Sequence, residues 1–562
     1  MYKHTLKILG ILVLTVCQLN EAHANTITVV TKGASADGSM LVSCSNDGFN
    51  IDPSITFIDS KKHKDDTLKD IFPVATVYGE IPDLNCTYVP RLNDKSRTLN
   101  YYHKDLKETL PIGKILQDQK TYAYLDGDSG IINEYGLCVA VSTNHTSLYD
   151  YIDIKEASGV FCAQELSRIA LERCKTAHEA VLLVGSLIDT YGLWGKPQTL
   201  VIADKTEAYC MEMMPYLDKK HHNQAYSFWI AKKIEDGTFF VSADQFKIRA
   251  IDKNDDTLIY KPNLDKLLKE LKLAKINKDG LVDWLTSVKG TEIYPYYSMR
   301  RVWRGYSLMK NSAHFSPYVK GYDDSYPFSV IPDKTISTQD LMMLHRDTYA
   351  GTKFDSSTKE SGGFFASPYT YDKYESERAF NNASTTYTTI AQVGKALPAP
   401  IAWIAINTPA ENSFVPLCVA KLPDAYTKVS RANFDKTKLW WSASFVGTLT
   451  KAYYFTMIDN VKIKAMESEQ RAFDLLKEYQ NVSKNDFFTL INSNAILLVN
   501  KWHNLYHKLL EIHDNGFKLR YAEGHNPKFT PVDKYRKKAV KKPVKTDDKK
   551  EKTQLTPKIN DK

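Results

Sequence analysis

The chain has 562 residues, 43% of them hydrophobic and 25% charged, which excludes general disorder and leaves room for one large core or two domains. Its net charge of +8 is concentrated at one end, since twelve Lys/Arg against four Asp/Glu between Lys534 and Lys562 account for all of it. The rest is neutral overall, so no extended basic face for nucleic acid is expected.

At the N-terminus, Lys3 and Lys7 precede the apolar run "ILGILVLTV", and Ala22-His23-Ala24 follows as a small-residue cleavage site. This is the pattern of a secretory signal over residues 1–24, so the mature chain is expected to begin at Asn25 and to be exported, periplasmic or extracellular. Cys17 follows bulky Val16 in "LTVC", which disfavours a lipoprotein reading. No later run reaches the roughly 18 apolar residues of a membrane span.

"TITVVT" (26–31) is rich in β-branched residues and predicts a strand, with Asp37-Gly38 as the turn before a second one. "YAYL" and "LCVAVST" (137–143) predict further strands. From Gly159 to Gly192 the periodicity turns helical, with a break at "KTAHEA" where Thr176 and Glu179 form a capping box. "TLVIADKTEAYCMEM" predicts two strands around "DKTE", and "YSFWIAKKIEDGTFFVSA" another pair around "EDG". "STQDLMMLHRDTYAG" predicts a helix capped by Ser337 and closed by Gly351. Phe487, Ile491, Ala495, Leu498, Trp502, Leu505 and Leu509 then recur at helical spacing, the pattern of a core-facing stripe. The expected class is α+β with mostly antiparallel hairpins, organised as one domain over 25–532 with a helical elaboration. Residues 533–562 read as a disordered Lys-rich tail, either solubilising or in contact with an anionic envelope surface.

Seven cysteines remain after the signal: Cys44, Cys86, Cys138, Cys162, Cys174, Cys210 and Cys418. An odd, scattered set is no disulfide framework, and most read as small buried hydrophobes. There is no CxxC or HExxH, and His221-His222 reads as a solvated turn, so no metal or cofactor is implied.

Six segments in order carry a resemblance: "TKGASADGSM", "INEYGLCVAVS", "VIADKTEAYCMEMM", "FVSADQFKI", "YPFSVIPDKTISTQDLMMLHRDTYAGTKFD" and "TTIAQVGKALPAPIAWIAI". Together they resemble the dipeptidase A family of cysteine-type dipeptidases, within the N-terminal nucleophile hydrolase superfamily. The resemblance implies a four-layer αββα sandwich with two antiparallel sheets, to which C-terminal helices are added here. It also implies hydrolysis of short peptides by an N-terminal cysteine whose own α-amine acts as base. That cysteine stands ten residues before the serine of "AS"; here the serine is Ser35 and the residue ten back is Asn25. A carboxamide has no nucleophilic group at neutral pH. Thr26 could replace it only after cleavage past Asn25, and one step along a strand turns a side chain to the opposite face.

By the same resemblance, Asp47 matches the aspartate that holds the N-terminal amine, and Asn133 matches an asparagine near the oxyanion site. Cys44 stands where some relatives carry arginine. In "SADQFKI", Asp244 replaces an oxyanion-donating amide and Lys247 replaces an arginine. These departures at site positions imply an inactive or weakly active relative that binds short peptides or other small amine-bearing ligands. The alternatives are an active dipeptidase or amidase with a nucleophile such as Thr26, and a structural envelope-associated protein.

Overall fold

The computed structural model describes residues 25–48, 51–72, 111–146, 148, 159–219, 224–289, 296–321, 325–369, 377–395, 397–429, 431, 434–514, 517–520 and 528–530. The signal, the tail, Cys86 and His221-His222 lie outside them. Two large sheets dominate. The strands of both are β1 (Thr26–Val30), β2 (Met40–Asp47), β3 (Thr56–Ile58), β4 (Tyr124–Asp126), β5 (Gly130–Asn133), β6 (Cys138–Thr143), β7 (Gln198–Ala203), β8 (Ala208–Asp218), β9 (Gln224–Ile234), β10 (Phe239–Ala243), β11 (Leu258–Tyr260), β12 (Thr385–Val393), β13 (Ile401–Ile406) and β14 (Val415–Cys418). The first sheet runs β10-β1-β2-β12-β13-β14 and the second β11-β9-β8-β7-β6-β5-β4-β3, every pair antiparallel.

The period-2 alternation of strands sorts the side chains into layers. Ile27 and Val29 of β1 share a buried cluster with Ala140 of β6 and Val201 of β7, which places these residues between the two sheets. Val139, Val141, Leu200 and Ile202 face the other way, onto α1 (Ala163–Arg173) and α2 (Ala177–Tyr191). The outer face of the first sheet, with Val30, Leu41 and Val241, meets α3 (Met299–Met309) and α4 (Thr338–His345). Helix, sheet, sheet, helix is the resulting order, as the resemblance implies.

The capping box at Thr176 and Glu179 opens α2, and Ser337 caps α4 through Asp340. Three C-terminal helices, α5 (Leu439–Ala452), α6 (Tyr454–Glu478) and α7 (Lys484–Ile512), cover β13 and β14. All seven residues of the expected α7 stripe are buried. The six cysteines among the described residues are buried and unbridged.

Two local expectations are corrected. The strands around "EDG" form no hairpin: β9 pairs with β8 and β11, whereas β10 crosses to the other sheet and pairs with β1. The reason is burial, because Phe239 and Val241 pack beneath Val302 and Tyr306 of α3. Helix α4 stops well before Gly351. Beyond it, Arg346 bonds Pro409 O, Asn412 O and Glu469, Asp347 takes Arg304, and Tyr349 adopts a left-handed φ of 63°. These tertiary bonds outweigh another helical turn.

Candidate active site

Antiparallel pairing brings the start of one strand beside the ends of its neighbours. Thr26 pairs with Ala243 and Ile27 with Cys44, so the residues one step outward, Asn25 and Asp244, stand side by side. Thr385, which begins β12, pairs with Asp47 at the end of β2. Asn25, Asp47, Asp244 and Thr385 therefore meet at one edge of the first sheet, and the end of β6 closes over them from the second.

Asn25 is 6% exposed, and both arms of its carboxamide are engaged. Nδ2 donates to Val141 O at 2.8 Å, and Oδ1 accepts from Asp47 N at 3.0 Å. Its main-chain oxygen accepts from Ser142 Oγ at 3.0 Å. The side chain thus points to the second sheet, on the face of Ile27 and Val29. Thr26 points the other way, where its Oγ1 accepts from Arg301 of α3 at 2.8 Å.

Asp47 is 1% exposed and fully bonded. Arg378 donates to Oδ2 at 2.6 Å, Ser45 Oγ to Oδ2 at 2.9 Å, and Thr385 Oγ1 to Oδ1 at 2.6 Å. Burial holds its carboxyl above the usual range, with the charge of Arg378 opposing that shift. Ser45 Oγ also accepts from Thr26 N at 3.0 Å, so Asp47 reaches the start of β1 through this hydroxyl.

Asp244 sits at φ 55°, a left-handed conformation that asparagine and aspartate tolerate better than most residues. It does not offer a bare negative charge to the site. Arg301 Nη2 donates to Oδ2 at 2.5 Å, both side chains are 0% exposed, and Ser142 Oγ lies 3.5 Å from Oδ1. His145 donates its backbone N–H to Asp244 O at 3.1 Å and sets its ring edge-on to Tyr297. Burial lowers the His145 pKa, opposed by Asp244.

Of the remaining sequence-derived candidates, Asn133 and Lys247 are not brought to this cluster, whereas Cys44 lies beside it, its thiol on the same Val141 O that holds Asn25. Asn133 is 0% exposed and spends its amide on structure. Nδ2 donates to Leu171 O and Cys174 O of the α1 end, and Oδ1 accepts from Tyr135 N and Leu137 N. Leu137 is four residues from Val141, roughly 13 Å of strand. Lys247 lies three residues past Asp244 but in a separate pocket, where Nζ donates to Val241 O, Tyr306 OH and Phe328 O at 2.7, 2.7 and 2.8 Å. The rings of Phe240, Tyr306 and Phe328 surround it, and burial pushes its pKa down to about 7. Cys44 donates to Ser45 O and Val141 O, and burial, aided by Asp47, pushes its thiol up, away from a reactive thiolate.

Arg301, Arg378, Ser142 and Tyr297 were not found by sequence reasoning. Arg301 lies 275 residues from Thr26 and Arg378 331 from Asp47, so no local spacing marks them. Among the described residues no group of three or more His, Cys, Asp or Glu could hold a metal ion.

Two antiparallel sheets between helical layers, with a strand-initial residue ringed by Asp47, Asp244 and two buried arginines, define a protein of the N-terminal nucleophile hydrolase type. A family model, peptidase family C69, matches residues 24–467. The chain belongs to this family, the family of the dipeptidase A resemblance, and is a peptidase of dipeptidase type by descent. Helix α7 lies beyond the matched span. No curated protein matches the chain.

Proposed function

We propose that this chain is an exported C69 relative that has given up acyl-enzyme chemistry and keeps the old site to bind short peptides or other small amine-bearing ligands. One observation carries the reading: the nucleophile position holds Asn25, whose amide arms are both committed to Val141 and Asp47. Such a group neither attacks a carbonyl nor gives up a proton. Thr26 is a poor substitute, because its hydroxyl faces the α3 layer and is taken by Arg301.

Export to the periplasm or the medium rests on the Lys3/Lys7, apolar and Ala22-His23-Ala24 pattern. The excess of lysine after Lys534 supports contact with an anionic envelope surface by the C-terminal segment. The test is a dipeptide panel presented to the purified mature chain, read both as hydrolysis and as binding. Binding without turnover is expected. Turnover at ordinary enzyme rates overturns the loss of chemistry, and an absence of binding overturns the ligand role.

A further inference from the structure

Asn144 stands one residue past β6, and its side chain is half satisfied. The residue is 2% exposed. Its backbone N–H donates to Pro197 O at 2.8 Å, which continues the β6–β7 ladder, and Nδ2 donates to Thr199 Oγ1 at 2.8 Å. Among the described residues Oδ1 has no hydrogen-bond partner. A buried carbonyl oxygen without a donor is costly, and such groups are few in folded proteins, so an unpaired one calls for a cause.

Position supplies that cause. Residues two apart on a strand share a face, so Asn144 lies on the face of Ser142, whose hydroxyl holds Asn25 O. Thr199, the partner of its Nδ2, is the cross-strand partner of the same Ser142. The next residue, His145, is tied by its N–H to Asp244 O. The free oxygen therefore belongs to the strand end that closes over Asn25, about 7 Å along the strand from Ser142.

We propose that Asn144 Oδ1 is a ligand-binding acceptor of this site, taking the α-ammonium or a backbone N–H of a short peptide. The inference rests on the binding role proposed above and assigns it an atom. A carboxylate has no proton to donate at neutral pH and is not accepted there. Burial of the oxygen makes the interaction selective, because a site built around an unpaired polar group rejects ligands that leave it unpaired.

The experiment compares the mature wild type with a variant carrying Asn144→Leu and Thr199→Val together. Replacing both hydrogen-bond partners by apolar groups of similar shape is nearly neutral for folding and removes the free oxygen. Binding of dipeptides with free and with acetylated N-termini is measured by calorimetry, and melting temperatures are measured in parallel. The expected result is an unchanged or raised melting temperature with affinity for the free dipeptides weakened about tenfold or more. Binding by the wild type that survives in the double variant overturns this inference and leaves the binding role standing. A wild type that binds no dipeptide overturns both. A melting temperature lowered by several degrees in the double variant shows that the amide serves the fold, and that also overturns the inference.

Discussion

Asp244→Asn removes the carboxylate from a buried ion pair with Arg301, and its cost follows from the geometry. At the observed 2.5 Å, unit charges in an effective dielectric of about 20 attract by roughly 7 kcal/mol. Much of this offsets the desolvation of two fully buried ions. Breaking such a pair from one side costs about 3–5 kcal/mol, because the remaining charge stays buried. An asparagine oxygen still accepts one bond from Arg301, and Thr26 Oγ1 remains a second acceptor, so a loss near 3 kcal/mol is expected. Arg301→Gln strands Asp244 in the same way. The double variant, with no net charge to bury, should lose less than the sum by about 2 kcal/mol or more. Equilibrium denaturation of the four proteins reads the cycle, with unchanged denaturant dependence as the check on two-state behaviour. Screening acts weakly on buried pairs, so raising the salt from 0.05 to 0.5 M should leave the cycle unaltered. Single losses below about 1 kcal/mol that simply add would instead place both side chains in effective contact with water.

Asn25→Cys alone should restore little hydrolysis of dipeptides, whereas adding Asp244→Asn should restore more than the sum of the single changes. An oxyanion donor contributes a factor of about a hundred or more, and kinetics on the four proteins decides the matter. Lys247→Met should flatten the dependence of stability on pH between about 7 and 10.5. The folded state holds this lysine at about 7 and the unfolded state near its ordinary value of 10.5, so in that window the unfolded chain binds more protons and stability rises with pH. A slope unchanged in the variant would exclude the assignment. Asn133→Ala should cost about 2–4 kcal/mol by leaving buried carbonyls and N–H groups unpaired, yet leave peptide affinity as it was. A change in affinity without a loss of stability would return Asn133 to the site.

The features legible in the chain alone are local. β-branched runs, the Asp37-Gly38 turn, the capping box at Thr176, the cap at Ser337 and the stripe from Phe487 to Leu509 all act within a few residues, and each stands where the pattern predicts. The resemblance likewise located Asn25, Asp47 and Asp244, which antiparallel pairing gathers at one sheet edge. Which sheet β10 joins was decided only by tertiary structure, because the burial of Phe239 and Val241 under α3 sets its partner. The same holds for the fate of each polar side chain. Asn133 and Lys247 resemble site residues in their segments, yet the one is spent on backbone groups at the end of α1 and the other is enclosed by aromatic rings. Arg301 and Arg378 carry no mark in the sequence, since a buried carboxylate is balanced by whichever cation the fold brings within reach, and that choice is made across hundreds of residues.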